Sequence, residues 1–339
     1  MSTQIIDVFC HVLPPVYSEA VRRVVKPPFM FERATGIATM CDLDARFRLM
    51  DGFEGYRQII SLASPPIESL GHAGRVRDLA KIANDTMAEW VAKYPDRFAG
   101  FVASLPLHDV ETSVRETDRA CGELGALGVQ IFSSVNSQPI DSPEVIQIIE
   151  HIARMGKAIW LHPVRAMARP DYPSEPVSKF DLWWAFGWPY ETSLAMARLV
   201  FAGIFDRFPD LVIVTHHAGG VVPMLEGRLA AGLDQLGTRT PPGSEAAVET
   251  QLKERPIDAF RRFHADTASF GSKTTIACGM EFFGIDRMMF ASDMPFGPES
   301  GAKNLRDTLA AVGALQFQTE KKQALLHGNA ARVFQLRVD

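Results

Sequence analysis

Cysteine is scarce in this chain of 339 residues: Cys10, Cys41, Cys121 and Cys278 are scattered, and no two form a C-x-x-C pair. That argues against a structural zinc module or a disulfide framework, and the expectation is four buried thiols in a reducing, cytoplasmic compartment. Long hydrophobic runs are missing as well. No stretch of about 18 uninterrupted apolar residues occurs, and no basic segment precedes an apolar core at the N-terminus, so neither a membrane span nor a leader is expected. Positive charge is not in excess, with 35 Lys and Arg against 40 Asp and Glu and a formal net charge of −5. Without a basic footprint, nucleic acid is not an expected partner. Internal repeats and low-complexity segments are also absent. What is present is 47% hydrophobic content in a length that suits one large α/β core as well as two average domains.

The chain opens on Ile5-Ile6-Asp7-Val8-Phe9-Cys10-His11, an apolar run closing on a histidine. A two-residue period turns Asp7, Phe9 and His11 to one side and Val8 and Cys10 to the other. Later segments end the same way. Strands are expected at 56–63, 97–105, 128–132, 157–162, 211–217, 261–267 and 286–293, with helices between them at 42–51, 74–94, 110–124, 143–155, 191–208, 222–236 and 272–283. Helices at 302–314 and 319–334 close the chain. Eight strands alternating with helices read as an α/β fold, a (β/α)8 TIM barrel forming a single domain over 1–339, with excursions at about 14–41 and 163–189. The second excursion carries Asp181-Leu-Trp-Trp-Ala-Phe-Gly-Trp188 and is too long for an ordinary connection, as functional lids and interface elements are.

His11, His162, His217 and Asp293 each end a separate expected strand, the first, fifth, sixth and eighth. In a barrel those carboxyl ends meet at one mouth. Two imidazoles and a carboxylate offer the N/O donors that suit zinc, manganese or iron(II), and a further imidazole nearby can serve as general acid/base. Each histidine also has a structural alternative in the core with both nitrogens hydrogen-bonded. A carboxylate at the end of an apolar strand is harder to place without a partner or a metal. By alternation His216 should face away from His217, and Asp266 at the end of the seventh strand is explained as well by helix capping.

Short motifs in a shared order give the chain a family likeness: Ile-Asp-x-x-x-His at 6–11, Ala83-Asn84-Asp85, Tyr94 to Phe101, Leu105-Pro106-Leu107, Leu161-His162-Pro163, Gly187 to Thr192, Phe208 to Leu211, His217-Ala218-Gly219-Gly220, Gly227-Arg228, Ser292 to Phe296 and Gly328 to Arg332. The chain resembles the amidohydrolase-related decarboxylases, the branch that includes aminocarboxymuconate-semialdehyde decarboxylase and γ-resorcylate decarboxylase. The resemblance implies a (β/α)8 barrel of the metal-dependent hydrolase type and one divalent ion, zinc first and manganese second. It implies His11, His162 and Asp293 as metal ligands, His217 as the catalytic acid/base, and Asp293 as a second aid to protonation. The implied reaction is non-oxidative decarboxylation of a small aromatic or unsaturated carboxylic acid, with a hydrolase or hydratase of ring-fission acids as the alternative. A homodimer or larger homo-oligomer is implied too.

Phe9 departs from the family pattern, which places a further ligand, His or Glu, two residues before His11. Phenylalanine cannot coordinate, so a metal-free scaffold of the same fold is a third reading. Cys10 is turned away from the lumen unless a bulge intervenes. Phe9 and Phe296 can instead wall a planar substrate, and Arg165, in the loop after His162, can hold a carboxylate bidentately or stand as a solvated loop charge.

Overall fold

The computed structural model describes residues 4–244 and 252–337, so residues 1–3, 245–251 and 338–339 of the expected domain lie outside the described residues. Eight parallel strands form one sheet: β1 (Ile5–Val12), β2 (Tyr56–Leu62), β3 (Phe98–Ser104), β4 (Gly128–Phe132), β5 (Ala158–His162), β6 (Ile213–Thr215), β7 (His264–Asp266) and β8 (Met288–Met289). Each pairs with the next in the chain. The circle is closed by backbone bonds from β1 to the segment after β8, Val8 N–H to the Phe290 carbonyl (2.9 Å) and His11 N–H to the Met294 carbonyl (2.7 Å). This is the (β/α)8 barrel expected from the strand count.

Residues from six strands meet inside the barrel, among them Ile6, Val8 and Phe9 of β1, Val102, Trp160, Val214 and Met289. Trp160 is fully buried there and its indole N–H donates to the Val8 carbonyl at 2.9 Å. The chain must approach itself closely at Gly128, where a Cβ would lie 2.0 Å from the Ala158 carbonyl oxygen, so β4 can pair with β5 only through glycine. A second apolar layer lies between strands and helices. A third, built on Leu13, Tyr17, Val21, Phe31 and Met40, folds residues 14–41 down against Leu62, Ile67 and Val76.

Strict alternation in β1 is corrected. The register with β2 shifts between Asp7 and Cys10, and the consecutive Val8 and Phe9 both join the interior cluster. Asp7 leaves the lumen and accepts from Tyr56 Oη (2.7 Å) and from Ser292; Cys10 also turns to Tyr56, its Sγ 3.6 Å from the phenol oxygen. The late strands are shorter than expected, with β6 ending at Thr215 and β8 at Met289, and the seven-residue expectation for β7 loses its start, residues 261–263, to the turn that follows a helix at Pro256–Phe260. The helix after the aromatic excursion begins at Gly187 rather than 191, and breaks at Phe201 before a short turn of helix at Ile204–Arg207.

Just past β2, Glu68 is buried with only two backbone N–H donors, its own and that of Leu107. Burial outweighs those bonds and pushes its carboxyl up from 4.5 to about 8. A folded-state pKa above the unfolded one means the native chain holds the extra proton, so this group's contribution is fully present below about pH 4.5 and is lost as pH rises through about 8. Glu68→Gln removes that slope. Unfolding free energies of wild type and variant, compared from pH 5 to 8.5, should drift in favour of the variant by up to about 1.4 kcal/mol per pH unit; a drift toward the wild type contradicts a buried, proton-holding Glu68.

Candidate active site

Four imidazoles and two carboxylates converge at the carboxyl end of the barrel. His11 comes from β1, His162 from the last position of β5, His216 and His217 from just past β6, Asp266 from the end of β7, and Asp293 from the segment after β8. All but His217 are buried; its side chain is 11% exposed.

The turn after β6 explains why two adjacent histidines reach one site. His217 and Ala218 have φ of 55° and 54°, and Gly219 and Gly220 follow at 77° and 66°, so the strand ends before His216 and alternation no longer applies. His216 therefore does not face away from His217: their ring centroids lie 3.8 Å apart. Side chains at the two glycines would strike Phe283 and the Pro189 carbonyl, 2.6 and 2.4 Å from the added Cβ. Asp266 holds this turn from below, accepting the Ala218 N–H at 3.1 Å and a short bond from His216 Nδ1. It caps no helix there.

Asp293 also sits at positive φ, 63°, and is delivered by its neighbour Ser292, whose N–H and hydroxyl both bond Asp7. Fully buried Arg46 steadies the opposite wall, donating to the carbonyls of His11 and Thr39 at 2.9 Å each and to Gln58 at 2.7 Å. Neither Arg46 nor Asp266 stood out as a site residue in the sequence.

Asp293 Oδ1 lies 3.2 Å from His11 Nε2 and 3.3 Å from His216 Nε2, while its Oδ2 lies 3.8 Å from His217 Nε2. Ring nitrogens of His11, His162 and His216 fall within 4.8 Å of one another, as do the donor atoms of His216, His217 and Asp293. His162 Nδ1 is 2.7 Å from the Pro163 carbonyl, an oxygen that can only accept, so the proton sits on Nδ1 and Nε2 presents a lone pair. His11 Nδ1 is 3.3 Å from Ser61 Oγ.

Burial pushes the imidazoles of His11, His162 and His217 below their usual value, and the neighbouring histidines push His162 and His217 further. Burial works against charge on Asp293 too, but the imidazoles of His11, His216 and His217 gathered around it overcome that and hold the carboxyl well below its usual range. At His216, burial is outweighed by the Asp266 charge and hydrogen bond, with Asp293 adding to them, and the ring is pushed up to about 9. Two carboxylates flanking one ring call for positive charge between them, which either a proton or a divalent ion supplies. The donor set of imidazole nitrogen and carboxylate oxygen fits zinc, manganese or iron(II).

Aromatic rings wall this centre. Phe132 and Trp188 lie 5.1 and 5.4 Å from His162, Phe270 stacks 6.1 Å from His217, and Phe296 lies 5.5 Å from His11 with the Arg33 guanidinium 5.4 Å over its ring. Phe9 is fully buried beneath them, its ring stacked on His216 at 3.9 Å, so the face offered to a planar substrate in the sequence reading is covered. Arg165 lies elsewhere. Together with Arg169 it pairs with the buried Glu191, each at 2.7 Å, on the wall of a cavity of about 550 Å³ whose lining includes none of the four histidines. It is a packed ion-pair partner, neither a solvated loop charge nor a group free to clamp a carboxylate.

The family described as amidohydrolase matches residues 6–336. The chain is 32% identical over 267 residues to a γ-resorcylate decarboxylase of Polaromonas sp., an alignment covering 75% of this chain and 77% of that one. It is 36% identical over 157 residues to a 2-amino-3-carboxymuconate-6-semialdehyde decarboxylase of Dictyostelium discoideum, covering 46% of this chain and less than half, 42%, of that relative's length. A crystal structure of a dihydroxybenzoic acid decarboxylase from Polaromonas sp., with bound manganese and the inhibitor 2-nitroresorcinol, superposes with a TM-score of 0.78 at 24% identity, covering 99% of this chain and 97% of that one.

Proposed function

Because this chain belongs to the amidohydrolase family, we propose that it is a divalent-metal-dependent, non-oxidative decarboxylase of small aromatic carboxylic acids. The observation that carries this reading is the convergence of imidazole nitrogens on one buried carboxylate inside a ring of aromatic side chains. His11, His162 and Asp293 would hold the ion. When bound, such an ion supplies Lewis-acid polarisation and a fixed anchor for substrate oxygens.

The protein's own groups do the rest. Phe132, Trp188 and Phe296 offer apolar walls for a planar ring, and burial of the centre excludes bulk water. His217 delivers a proton to the ring carbon that bears the carboxylate. The electron pair of the carbon–carbon bond then returns to the ring as carbon dioxide leaves, so atoms and charge balance without a redox partner. His217 is placed for this because its partly exposed side chain can recover a proton from solvent.

Zinc and manganese are both to be tried, manganese because the Polaromonas structure of like fold holds it. Among the described residues no helix is long and apolar enough to cross a membrane. We place the enzyme in the cytoplasm on its four free thiols, and read it as a homodimer or larger because Phe180 and Phe186 of the aromatic excursion are 89% and 74% exposed.

The test is a panel of hydroxybenzoic and related aromatic acids, followed by gas release and product chromatography. We expect carbon dioxide and the corresponding phenol from at least one acid, abolished by chelator and restored by zinc or manganese. Turnover by addition of water, with no gas, would replace this reading with the hydratase alternative.

A further inference from the structure

Four histidines meet at this centre, and their outward nitrogens do not behave alike. Nδ1 of His162 is tied to the Pro163 carbonyl, Nδ1 of His11 to Ser61, and Nδ1 of His216 to Asp266, so each of these three rings aims Nε2 inward. His217 differs, because its Nδ1 is buried without a partner among the described residues. A metal-bound imidazole almost always has its other nitrogen held by a carboxylate, carbonyl or hydroxyl, which fixes both tautomer and ring direction. By that criterion His216 belongs with His11 and His162, and His217 stands apart.

Distances separate the two neighbours again. For bonds of about 2.0–2.2 Å, adjacent donors on one ion stand roughly 3.0–3.6 Å apart. His11 Nε2 and His216 Nε2 lie 3.2 and 3.3 Å from the same oxygen of Asp293, Oδ1, within that span. His217 Nε2 lies 3.8 Å away and faces the other oxygen. Position 9 contributes no lone pair, and the Phe9 ring lies flat against His216, fixing its tilt from the side opposite the mouth.

From this geometry we infer that His216 is a fourth protein ligand of the ion, joining His11, His162 and Asp293 through Nε2. Asp266 is its positioning residue, gripping Nδ1 and the backbone of the following turn at once. The inference rests on the metal-dependent reading above and adds to it a ligand from the sixth strand end.

Copper(II)-substituted wild-type protein, studied by pulsed electron paramagnetic resonance, counts coordinated imidazoles directly and needs no variant to fold. Three are expected; two overturn the assignment of His216 and leave the His11, His162 and Asp293 site standing. In parallel, zinc and manganese affinities of His216→Asn and His11→Asn are measured by chelator competition, with circular dichroism as the folding check. Both should fall by at least about 10²-fold, and Asp266→Asn by about 10- to 100-fold, as for loss of an outer partner. A folded His216→Asn that keeps wild-type affinity while His11→Asn loses the ion overturns the inference. Wild type that binds neither ion overturns the metal reading itself.

Discussion

Asp293→Asn is expected to strip the ion and stop turnover together. One oxygen of this carboxylate sits 3.2 Å from His11 and 3.3 Å from His216, the other 3.8 Å from His217, so among the described residues no other side chain addresses as much of the centre. Removing its charge leaves neutral imidazoles to hold a dication in a buried site, where the attraction lost is poorly replaced by solvent. Affinity should fall by more than the roughly 10- to 100-fold that an outer partner is worth. Elemental analysis of dialysed protein and gas release by the same preparation measure the two losses. Excess zinc or manganese should recover little activity, because Asp293 also belongs to the proton-handling side of the site through its second oxygen. Full metal content with full activity in Asp293→Asn would remove it from the centre.

The barrel itself was legible where strands are long and apolar. Gly128–Phe132 is found at the bounds its sequence suggests, β3 is one residue shorter at each end, and β2 and β5 are one residue shorter at one end. The carboxyl ends of β6 and β8 were not, and the cause is local. Residues at the rim of a barrel leave the ladder to turn toward the mouth, keeping the apolar, extended look of a strand while giving up its pairing. His217 at φ 55° and Asp293 at φ 63° have both left β geometry, and a two-residue period cannot describe them.

That same failure hid one of the four imidazoles. His216 was set aside by alternation although it is buried among the ligand candidates, stacked on Phe9 and hydrogen-bonded to Asp266. A signal was present in Thr215-His216-His217-Ala218-Gly219-Gly220, because two glycines after a short strand announce a turn, and a turn suspends the period. Asp266 looked like a cap because an acidic residue between a strand and a helix usually is one. Nothing in the sequence places it below His216, since that pairing joins β6 to β7 across 50 residues. The shift in β1 is of the same kind: Asp7 leaves the lumen only because Tyr56 and Ser292, both distant in sequence, receive it.

His217→Asn should keep the ion and lose the reaction. Asparagine retains a polar head of similar reach but cannot carry a proton at the imidazole's pKa, so turnover should fall by about 10²–10⁴. Two features single out His217 for proton delivery over its three neighbours. Its side chain is 11% exposed while the others are closed to solvent, giving the one imidazole that water can recharge after each cycle. Its Nδ1 has no partner among the described residues, so the ring is not locked into the ligand tautomer that Pro163, Ser61 and Asp266 impose on the rest. Its nearest carboxylate contact, 3.8 Å to Asp293, is long enough to leave Nε2 free for a substrate carbon, and the Phe270 ring lies near parallel to it at 6.1 Å. Single-turnover carbon dioxide release and metal content on the same sample decide the matter. A variant that loses the ion while retaining the chemistry per bound ion would make His217 a ligand and return the proton to Asp293 or His216.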